Sequence, residues 1–373
     1  MNEPVQRIAI ICFSHSLGGL ELSSLHLAES MRAKGVDAWL VVPPSSPLQA
    51  RATASGIGTA AFMPRLKYFD CAAALKLFRF LRERRIDTAI LMRSQDINIA
   101  AMAKLFAPSV RLIFYQQMAS GHNKRDVLHT WIYSKLSLWL SLTQHMQNEM
   151  LSCTRLPREK AHVVPLGTDL RRFDPSLYAQ SDARASFGLP CDRMLVGVLG
   201  RLDPGKGQEV FIRAIPSVIA RHPEALFVIA GDETANEPGY KKVLEALSAE
   251  LGVGSHLRFM RFTDDVPRFM AAMDVMTLPS PFETFGLVVI EAMAMEKTVI
   301  ATNAGGVPEL VSDNASGLLI EPRNHGALAD AVNRVLDDER LRRRLAANAR
   351  AAAVRRFDFE RCVETILELA RTA

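Results

Sequence analysis

Two glutamates, Glu283 and Glu291, lie eight positions apart across a predicted strand-to-helix turn. Residues 274–280 are typical of a buried strand that ends in turn residues, and Gly286 allows the backbone to approach a ligand where a helix begins. Free amides at such a helix start stabilise a phosphate. A carboxylate beside them can accept hydrogen bonds from sugar hydroxyls, and a second carboxylate on the helix can bind a vicinal diol such as ribose. The pair therefore suits a nucleotide sugar.

Taken alone, such a pair also fits a purely structural role, because the helix macrodipole favours glutamate near a helix start. Three segments together carry more weight: Gly200-Arg-Leu-Asp-Pro-Gly-Lys-Gly207, residues 281–294 around the two glutamates, and Asn303-Ala-Gly-Gly-Val-Pro-Glu-Leu-Val311. They resemble the C-terminal half of the family 4 glycosyltransferases. That resemblance implies a GT-B fold, with two Rossmann-like domains facing each other across a cleft.

The resemblance also implies roles for single residues. Arg201 and Lys206 would contact the donor diphosphate and, with Glu283, form the catalytic set. Glu283 and the turn Phe285-Gly286-Leu287 would hold the transferred sugar and its phosphate, whereas Glu291 would bind the ribose.

Two glycine-containing loops have alternative interpretations. Gly18 and Gly19 follow the first predicted strand and could form a simple tight turn, but the family has a Gly-Gly-x-Glu there with its backbone near the donor phosphates. The spacing from Gly200 to Lys206 matches a P-loop. A P-loop, however, requires Ser or Thr next for magnesium, and this chain has Gly207, which argues against a nucleotide triphosphatase.

The acceptor side departs from the family pattern. Family members commonly carry a histidine in the segment that here contains Gln117, and often histidines where Arg93 stands. Gln117 and Arg93 are therefore the acceptor-side candidates. Gln117 also leaves open a non-catalytic nucleotide-sugar-binding scaffold, and a disaccharide synthase or phosphorylase on the same fold is a further alternative.

No metal site is predicted. An Asp-x-Asp motif is absent, and the adjacent pairs Asp264-Asp265 and Asp337-Asp338 point in different directions on either a helix or a strand. The nine histidines are scattered without ligand spacing. We expect no cofactor besides the nucleoside diphosphate sugar as donor substrate, and Arg201, Lys206 and helix amides would neutralise the leaving diphosphate in place of a metal.

Composition sets further limits. A chain of 373 residues, 49% hydrophobic and 23% charged, is long enough for two ordinary globular domains. No apolar run reaches the roughly 18 to 20 residues of a membrane-spanning helix. Five widely spaced cysteines without a Cys-x-x-Cys indicate reduced structural residues. We therefore expect a cytoplasmic protein, with the inner face of the cell membrane as a second location.

Positive charge is concentrated in the first part of the chain. Residues 1–165 contain 20 Lys and Arg against 11 Asp and Glu, whereas the remainder contains 25 against 29. No nucleic-acid-binding motif accompanies this charge, which favours an anionic membrane surface or a phosphorylated acceptor. The segment 131–139 could be an interfacial membrane stretch, but its amphipathic spacing favours a helix and a strand of the core.

Strands and helices alternate along the chain, which predicts parallel sheets covered on both faces. The predicted strands are 7–13, 36–42, 88–92, 111–115, 138–143, 162–166, 194–200, 225–231, 256–260, 274–278, 298–302 and 317–320, with helices at 20–34 and 71–85 among those between them. We assign 1–175 to an N-terminal acceptor-side domain, completed by a C-terminal helix at 357–373, and 176–356 to a C-terminal nucleotide-sugar-binding domain.

The sequence thus predicts a retaining, metal-independent glycosyltransferase that moves a hexose from a nucleoside diphosphate sugar to a hydroxyl group of a glycan or lipid-linked acceptor. Retention is implied by the resemblance alone. Synthesis of a cell-surface polysaccharide or a glycolipid is the expected setting.

Overall fold

The computed structural model describes residues 6–119, 123–233 and 237–373. The chain forms two compact units: Met1–Pro165 together with Glu360–Ala373, and Leu166–Phe359. The first boundary thus lies at Pro165 rather than at residue 175. The reason is local pairing: the Thr168 amide donates to the Phe357 carbonyl at 2.8 Å, and the Phe359 amide donates to the Thr168 carbonyl at 3.1 Å. These bonds tie the segment after residue 165 to the end of the second unit.

In the described part of the first unit, seven strands form one parallel sheet in the order β3-β2-β1-β4-β5-β6-β7. The strands are β1 (Arg7–Ile11), β2 (Asp37–Val42), β3 (Gly58–Ala61), β4 (Thr88–Leu91), β5 (Arg111–Gln116), β6 (Leu138–Ser141) and β7 (Ala161–Val163). The helices of this unit are α1 (Gly19–Ala33), α2 (Pro47–Ala54), α3 (Cys71–Glu83), α4 (Asp96–Lys104), α5 (Val127–Ser134), α6 (Gln144–Cys153) and α15 (Phe359–Thr372).

The C-terminal helix α15 joins this unit through α1. Lys34 lies within 2.9 Å of Glu360 and 2.8 Å of Glu364. On the sheet side, the Tyr115 hydroxyl lies 3.4 Å from Cys362 Sγ, and both residues are buried. The end of the chain therefore completes the first unit.

Within residues 131–139, the apolar side chains Ile132, Tyr133, Leu136 and Trp139 belong to the core, as their spacing favoured. Trp139 is buried on β6, with its ring edge-on to Phe114 at 4.7 Å and to Tyr133 at 5.2 Å. Aromatic pairs in this arrangement contribute beyond the area they bury. No helix within the three described ranges is long and apolar enough to cross a bilayer.

The second unit repeats the architecture. Its described residues contain six strands in the order β10-β9-β8-β11-β12-β13, all parallel. The strands are β8 (Leu195–Leu199), β9 (Leu226–Ala230), β10 (Leu257–Met260), β11 (Val275–Leu278), β12 (Thr298–Thr302) and β13 (Leu318–Ile320). The helices are α7 (Gln180–Ser186), α8 (Gln208–Ile219), α9 (Tyr240–Glu250), α10 (Val266–Ala272), α11 (Leu287–Ala294), α12 (Val307–Leu310), α13 (His325–Asp337) and α14 (Glu339–Arg356).

Some strands are shorter than predicted, and the reason is visible at their ends. Strand β1 ends at Ile11, and the amide of Phe13 donates to the Asp96 carboxylate at 3.3 Å instead of to a neighbouring strand. Strand β7 ends at Val163, soon before Pro165, which has no amide to donate. Helix α2 and strand β3 were not predicted. Strand β3 (Gly58–Ala61) is short and lacks the apolar run that indicates a buried strand.

In each sheet the strand order reverses direction between two central strands: β1 and β4 in the first unit, β8 and β11 in the second. Ligands of open α/β sheets bind beyond the carboxyl ends of the strands at such switch points. The topology therefore singles out the loops after these four strands.

Candidate functional site

The loop after β8 is held by its own side chains. The Gln208 side chain is buried and donates through Nε2 to the Arg201 carbonyl at 2.7 Å, and the Asp203 carboxylate accepts from the Gly205 amide at 2.7 Å. The Arg201 side chain is exposed. The backbone is thereby fixed while this guanidinium remains available to a ligand.

Lys206 and Glu283 meet in the second unit. Lys206 Nζ lies 2.7 Å from Glu283 Oε1, with the two side chains 29% and 16% exposed, and the Ser280 hydroxyl donates to the same Oε1 at 2.9 Å. The loops can approach because Gly207 has φ +73°, and a Cβ at that position would clash with the Pro279 carbonyl oxygen. The ion pair orients both charges before any ligand arrives.

The backbone of Glu283 is held by the loop after β12. The Gly306 amide donates to the Glu283 carbonyl at 2.9 Å. Gly305 has φ +61°, and a Cβ there would clash with that same carbonyl oxygen. The glycine pair in the segment 303–311 therefore positions Glu283.

Helix α11 begins beside Glu283, with Gly286 as its N-cap residue. The first amides of an α-helix have no partner within the helix and favour an anion. The Phe285 side chain is 4% exposed and packs edge-on against Phe357, with the ring centroids 6.3 Å apart, whereas Leu287 is exposed. Phe285 therefore presents only its backbone to a ligand.

Glu291 lies on α11 in a half-buried position. Burial raises its pKa to about 8, and the charge of Arg172 acts in the opposite direction. At neutral pH the group is therefore largely a carboxylic acid, which both donates and accepts hydrogen bonds. Arg172 was not a predicted site residue, and no local pattern links it to a helix more than a hundred positions away.

In the first unit, Gly18 and Gly19 lie at the start of α1 and are exposed. The Glu21 carboxylate is buried and accepts from the Gly18 amide at 2.8 Å. Glu21 is thus committed to the helix start, where an acidic group is favourable, while the glycine backbone stays accessible.

The acceptor-side candidates follow two neighbouring strands of the same sheet. Gln117 comes after β5 and donates through Nε2 to the Ser23 hydroxyl on α1 at 2.8 Å. Arg93 comes after β4, is half-buried, and donates to Gln95 Oε1 at 3.0 Å. Both lie at the carboxyl ends of their strands.

The structure thus brings Lys206 and Glu283 into contact, with Arg201 on the same loop as Lys206 and Glu291 on helix α11. Ser280, which the sequence reasoning did not assign, is a direct partner of Glu283. Its only signal was its position between a buried strand and the glutamate.

In the described ranges, no group of three or more His, Cys, Asp or Glu side chains is arranged to hold a metal ion. The predicted roles remain predictions.

Two family models match the chain. The model of glycosyl transferases group 1 matches residues 179–352, and the model of Glycosyltransferase Family 4 matches residues 17–172. The chain belongs to the family 4 glycosyltransferases.

Among curated relatives, the D-inositol 3-phosphate glycosyltransferase of Corynebacterium urealyticum is 34% identical over 215 residues, which cover 56% of this chain and 50% of that protein. The alpha-D-kanosaminyltransferase of Streptomyces kanamyceticus is 32% identical over 218 residues, covering 58% and 55%. The chain thus matches about half the length of these relatives.

Solved structures agree on the fold. Anabaena HepE in complex with UDP has a TM-score of 0.87 at 24% identity, covering 99% of this chain and 100% of that chain. Sucrose-phosphate synthase from Thermosynechococcus elongatus has a TM-score of 0.74 at 22% identity, covering 98% of both. The predicted fold class, GT-B with two Rossmann-like α/β domains, is confirmed.

Proposed function

We propose that this chain is a retaining glycosyltransferase that transfers a hexose from a nucleoside diphosphate sugar to a hydroxyl acceptor. The observation that carries this proposal is the Lys206–Glu283 ion pair of 2.7 Å, in which the Ser280 hydroxyl also donates to the Glu283 carboxylate. It sets a cation for a diphosphate beside a carboxylate for sugar hydroxyls, and helix α11 with its free amides begins four residues after Glu283.

In the proposed reaction, the bond between the anomeric carbon and the donor phosphate oxygen breaks, and its electron pair leaves with the diphosphate. The acceptor oxygen forms the new bond on the same face, and its proton passes to the departing phosphate oxygen. Arg201, Lys206 and the first amides of α11 neutralise the charge that develops on the leaving group. Glu283 would orient the sugar, and Glu291 the ribose.

The nucleotide-sugar donor is supported by the structural neighbours, since HepE has been solved with UDP and with UDP-glucose. The curated relatives carry glycosyltransferase names with different sugars and acceptors. Neither the base nor the sugar follows from these likenesses, so both UDP and GDP sugars belong in a test.

For the acceptor we propose a glycan or lipid-linked hydroxyl, used in cell-surface polysaccharide or glycolipid synthesis on the cytoplasmic face of the membrane. The support is the excess of positive charge in residues 1–165. Helix α3 contributes an exposed basic row, Lys76, Arg79 and Arg82, to that surface. Such a row attracts anionic lipid headgroups.

The test is a panel of UDP and GDP sugars, with release of nucleoside diphosphate and transfer of sugar both measured. Lys206→Ala should reduce turnover by about a hundred- to a thousand-fold, the usual effect of removing one charge aimed at a leaving group. Its thermal stability should change little, because a partly exposed ion pair contributes about 1 kcal/mol or less. Lys242→Ala, which removes an exposed charge of the same unit, is the matched control.

Five outcomes would count against parts of the proposal. Near wild-type transfer by Lys206→Ala would refute the site. A large loss in excess chelator, restored by magnesium or manganese, would refute metal independence. A product whose anomeric proton signal shows the configuration opposite to that of the donor sugar would refute retention. Binding of a nucleotide sugar without any turnover would favour the non-catalytic scaffold, and phosphate-dependent breakdown of a disaccharide would favour a phosphorylase.

A further inference from the structure

A small cavity of about 170 Å³ opens in the first unit at the switch point of its sheet. Its walls come from Phe13 after β1, from the loop that follows β3, and from the turn between β4 and α4. Pockets that enclose a whole drug-sized ligand are about 300–1,000 Å³. This cavity therefore suits one group of a ligand rather than a complete acceptor.

The cavity lining is strongly positive. Arg65, Lys67 and Arg93 line it together with a single carboxyl group, that of Asp96. Among the residues that the structure describes, none of the three cations is within ion-pair distance of a carboxylate. The pKa of nearby Lys124 is lowered, first by burial and then by the charge of Lys67. Lys67 and Lys124 thus repel each other beside the cavity, which adds to the positive potential of its lining.

The loop that carries two of these cations is fixed in place. The buried Asp70 carboxylate accepts from the amides of Arg65 at 2.7 Å and Leu66 at 3.2 Å. The buried Asn98 side chain donates to the Lys67 carbonyl at 2.9 Å. Anchored backbone with exposed charged side chains is pre-organised for binding, because little further ordering is needed.

Asp96 is only partly ionised near neutral pH, which reduces its repulsion of an anion in this cavity. Its side chain is 2% exposed, and burial raises its pKa to about 7, against the opposing influence of Arg93 and of the hydrogen bond from the Phe13 amide. A bound anion would disfavour the carboxylate further and keep the group protonated. The neutral acid can then donate a hydrogen bond to an oxyanion oxygen.

We propose that this cavity is an acceptor subsite for an oxyanion, a phosphate or similar group carried by the acceptor, bound by Arg65, Lys67 and Arg93. The inference rests on the proposed glycosyltransferase function and specifies its acceptor class. The oxyanion could belong to a soluble sugar phosphate or to a lipid headgroup, and these sources share the same chemistry.

The first test is calorimetric titration of inorganic phosphate into the full chain. Lys67→Ala and Arg93→Ala should each weaken binding by about ten- to a hundredfold, as expected for a lost charge-assisted hydrogen bond. Arg51→Ala removes an exposed charge of the same unit away from the cavity and should leave binding unchanged. Lys206→Ala should also retain this site, which separates it from phosphate bound on the donor side.

The second test compares acceptors and sources. In the donor panel, glucose 6-phosphate should be a better acceptor or competitor than glucose, and Lys67→Ala should remove that preference while donor binding stays intact. Vesicles of phosphatidic acid in phosphatidylcholine replace the sugar phosphate in the parallel arm. A response confined to vesicles, and lost in Lys67→Ala, would assign the oxyanion to a lipid headgroup.

The two proposals fail in different ways. Donor turnover with no phosphate binding, or with equal losses in Lys67→Ala and Arg51→Ala, would overturn the oxyanion subsite and leave the transferase intact. No binding or turnover of any nucleotide sugar, with phosphate binding still sensitive to Lys67→Ala, would overturn the proposed function and with it the acceptor role of the cavity.

Discussion

Glu283 and Glu291 differ in environment although only one turn and part of one helix separate them. Glu283 contacts Lys206 and Ser280, whereas burial of Glu291 raises its pKa to about 8. The first is committed as a hydrogen-bond acceptor. The second can change its protonation state near neutral pH, and this change can be measured as a pH dependence of donor binding.

We expect donor binding to strengthen as the pH rises through about 8. The raised pKa means that Glu291 is mainly protonated at pH 7 and becomes a carboxylate above pH 8, and only the carboxylate can accept from both hydroxyls of a diol through two charged oxygens. By linkage, the bound donor should lower this pKa. Calorimetry of the nucleotide sugar identified in the panel, between pH 6.5 and 9, measures the effect.

The control for this pH dependence is Glu291→Gln, which is neutral throughout and should bind with a flat profile. It is needed because burial also lowers the pKa of Lys297 in the same unit to about 8. A rise in affinity that persists in Glu291→Gln would assign the titration to another group and contradict the role of Glu291.

Gln117 should act by hydrogen bonding, because a neutral amide has no useful proton affinity. Gln117→Ala should weaken sugar or acceptor binding by about 0.5 to 1.5 kcal/mol, far less than the effect of Lys206→Ala. The pH-rate profile should lack a limb near 6.5 attributable to this position.

Ser23→Ala is the matched control for Gln117, since Gln117 Nε2 donates to the Ser23 hydroxyl. An equal loss in both variants would mean that Gln117 only positions α1. An inactive wild type that gains transfer with Gln117→His would establish the scaffold alternative instead.

At the scale of elements, the loop after β12 holds the backbone of Glu283, four residues before α11 begins. Gly305→Ala should lower both stability and turnover. A left-handed backbone costs about 1–2 kcal/mol for a residue with a Cβ, and the new methyl group would meet the Glu283 carbonyl oxygen. Each kcal/mol lowers the melting temperature by about 2–4 °C for a domain of this size.

Gly254→Ala is the corresponding control, because nothing lies within 4 Å of a Cβ at that exposed position. Thermal scans and kcat for both variants test the prediction. A Gly305→Ala protein with wild-type turnover would show that the backbone of Glu283 need not be held as it is seen here.

At the scale of the whole molecule, charge is divided unevenly between the two parts of the chain. We predict peripheral, salt-sensitive association with anionic membranes. Each Lys or Arg near such a surface contributes about 1 kcal/mol, and the attraction is screened within about 8 Å at physiological ionic strength. Co-sedimentation should therefore require anionic lipid and decline in high salt, while phosphatidylcholine vesicles serve as the control.

Binding to vesicles that depends neither on lipid charge nor on salt would contradict this electrostatic account. In that case the exposed basic row of α3 would not be the membrane contact, and the buried position of Trp139 would also exclude that ring as an interfacial anchor.

The sequence by itself determined the alternation of strands and helices, because the apolar run of a buried parallel strand and the 3.6-residue period of a helix are local signals. It also located the loops that contain Arg201, Lys206 and Glu283, since each follows a predicted strand, and it placed Glu291 on the helix that comes next. It did not give strand ends or the short β3, where competing hydrogen bonds such as that from Phe13 to Asp96 decide.

Only the tertiary structure decided which of these loops meet. Lys206 and Glu283 are 77 positions apart and come into contact because β8 and β11 are neighbours in the sheet. Burial of Glu291, and the convergence of Arg65, Lys67 and Arg93 around Asp96, likewise depend on strand order and on packing between distant segments. A charged residue shows no sequence periodicity that reveals its partner. The ion pairs and pKa shifts of both units therefore follow only from the three-dimensional fold.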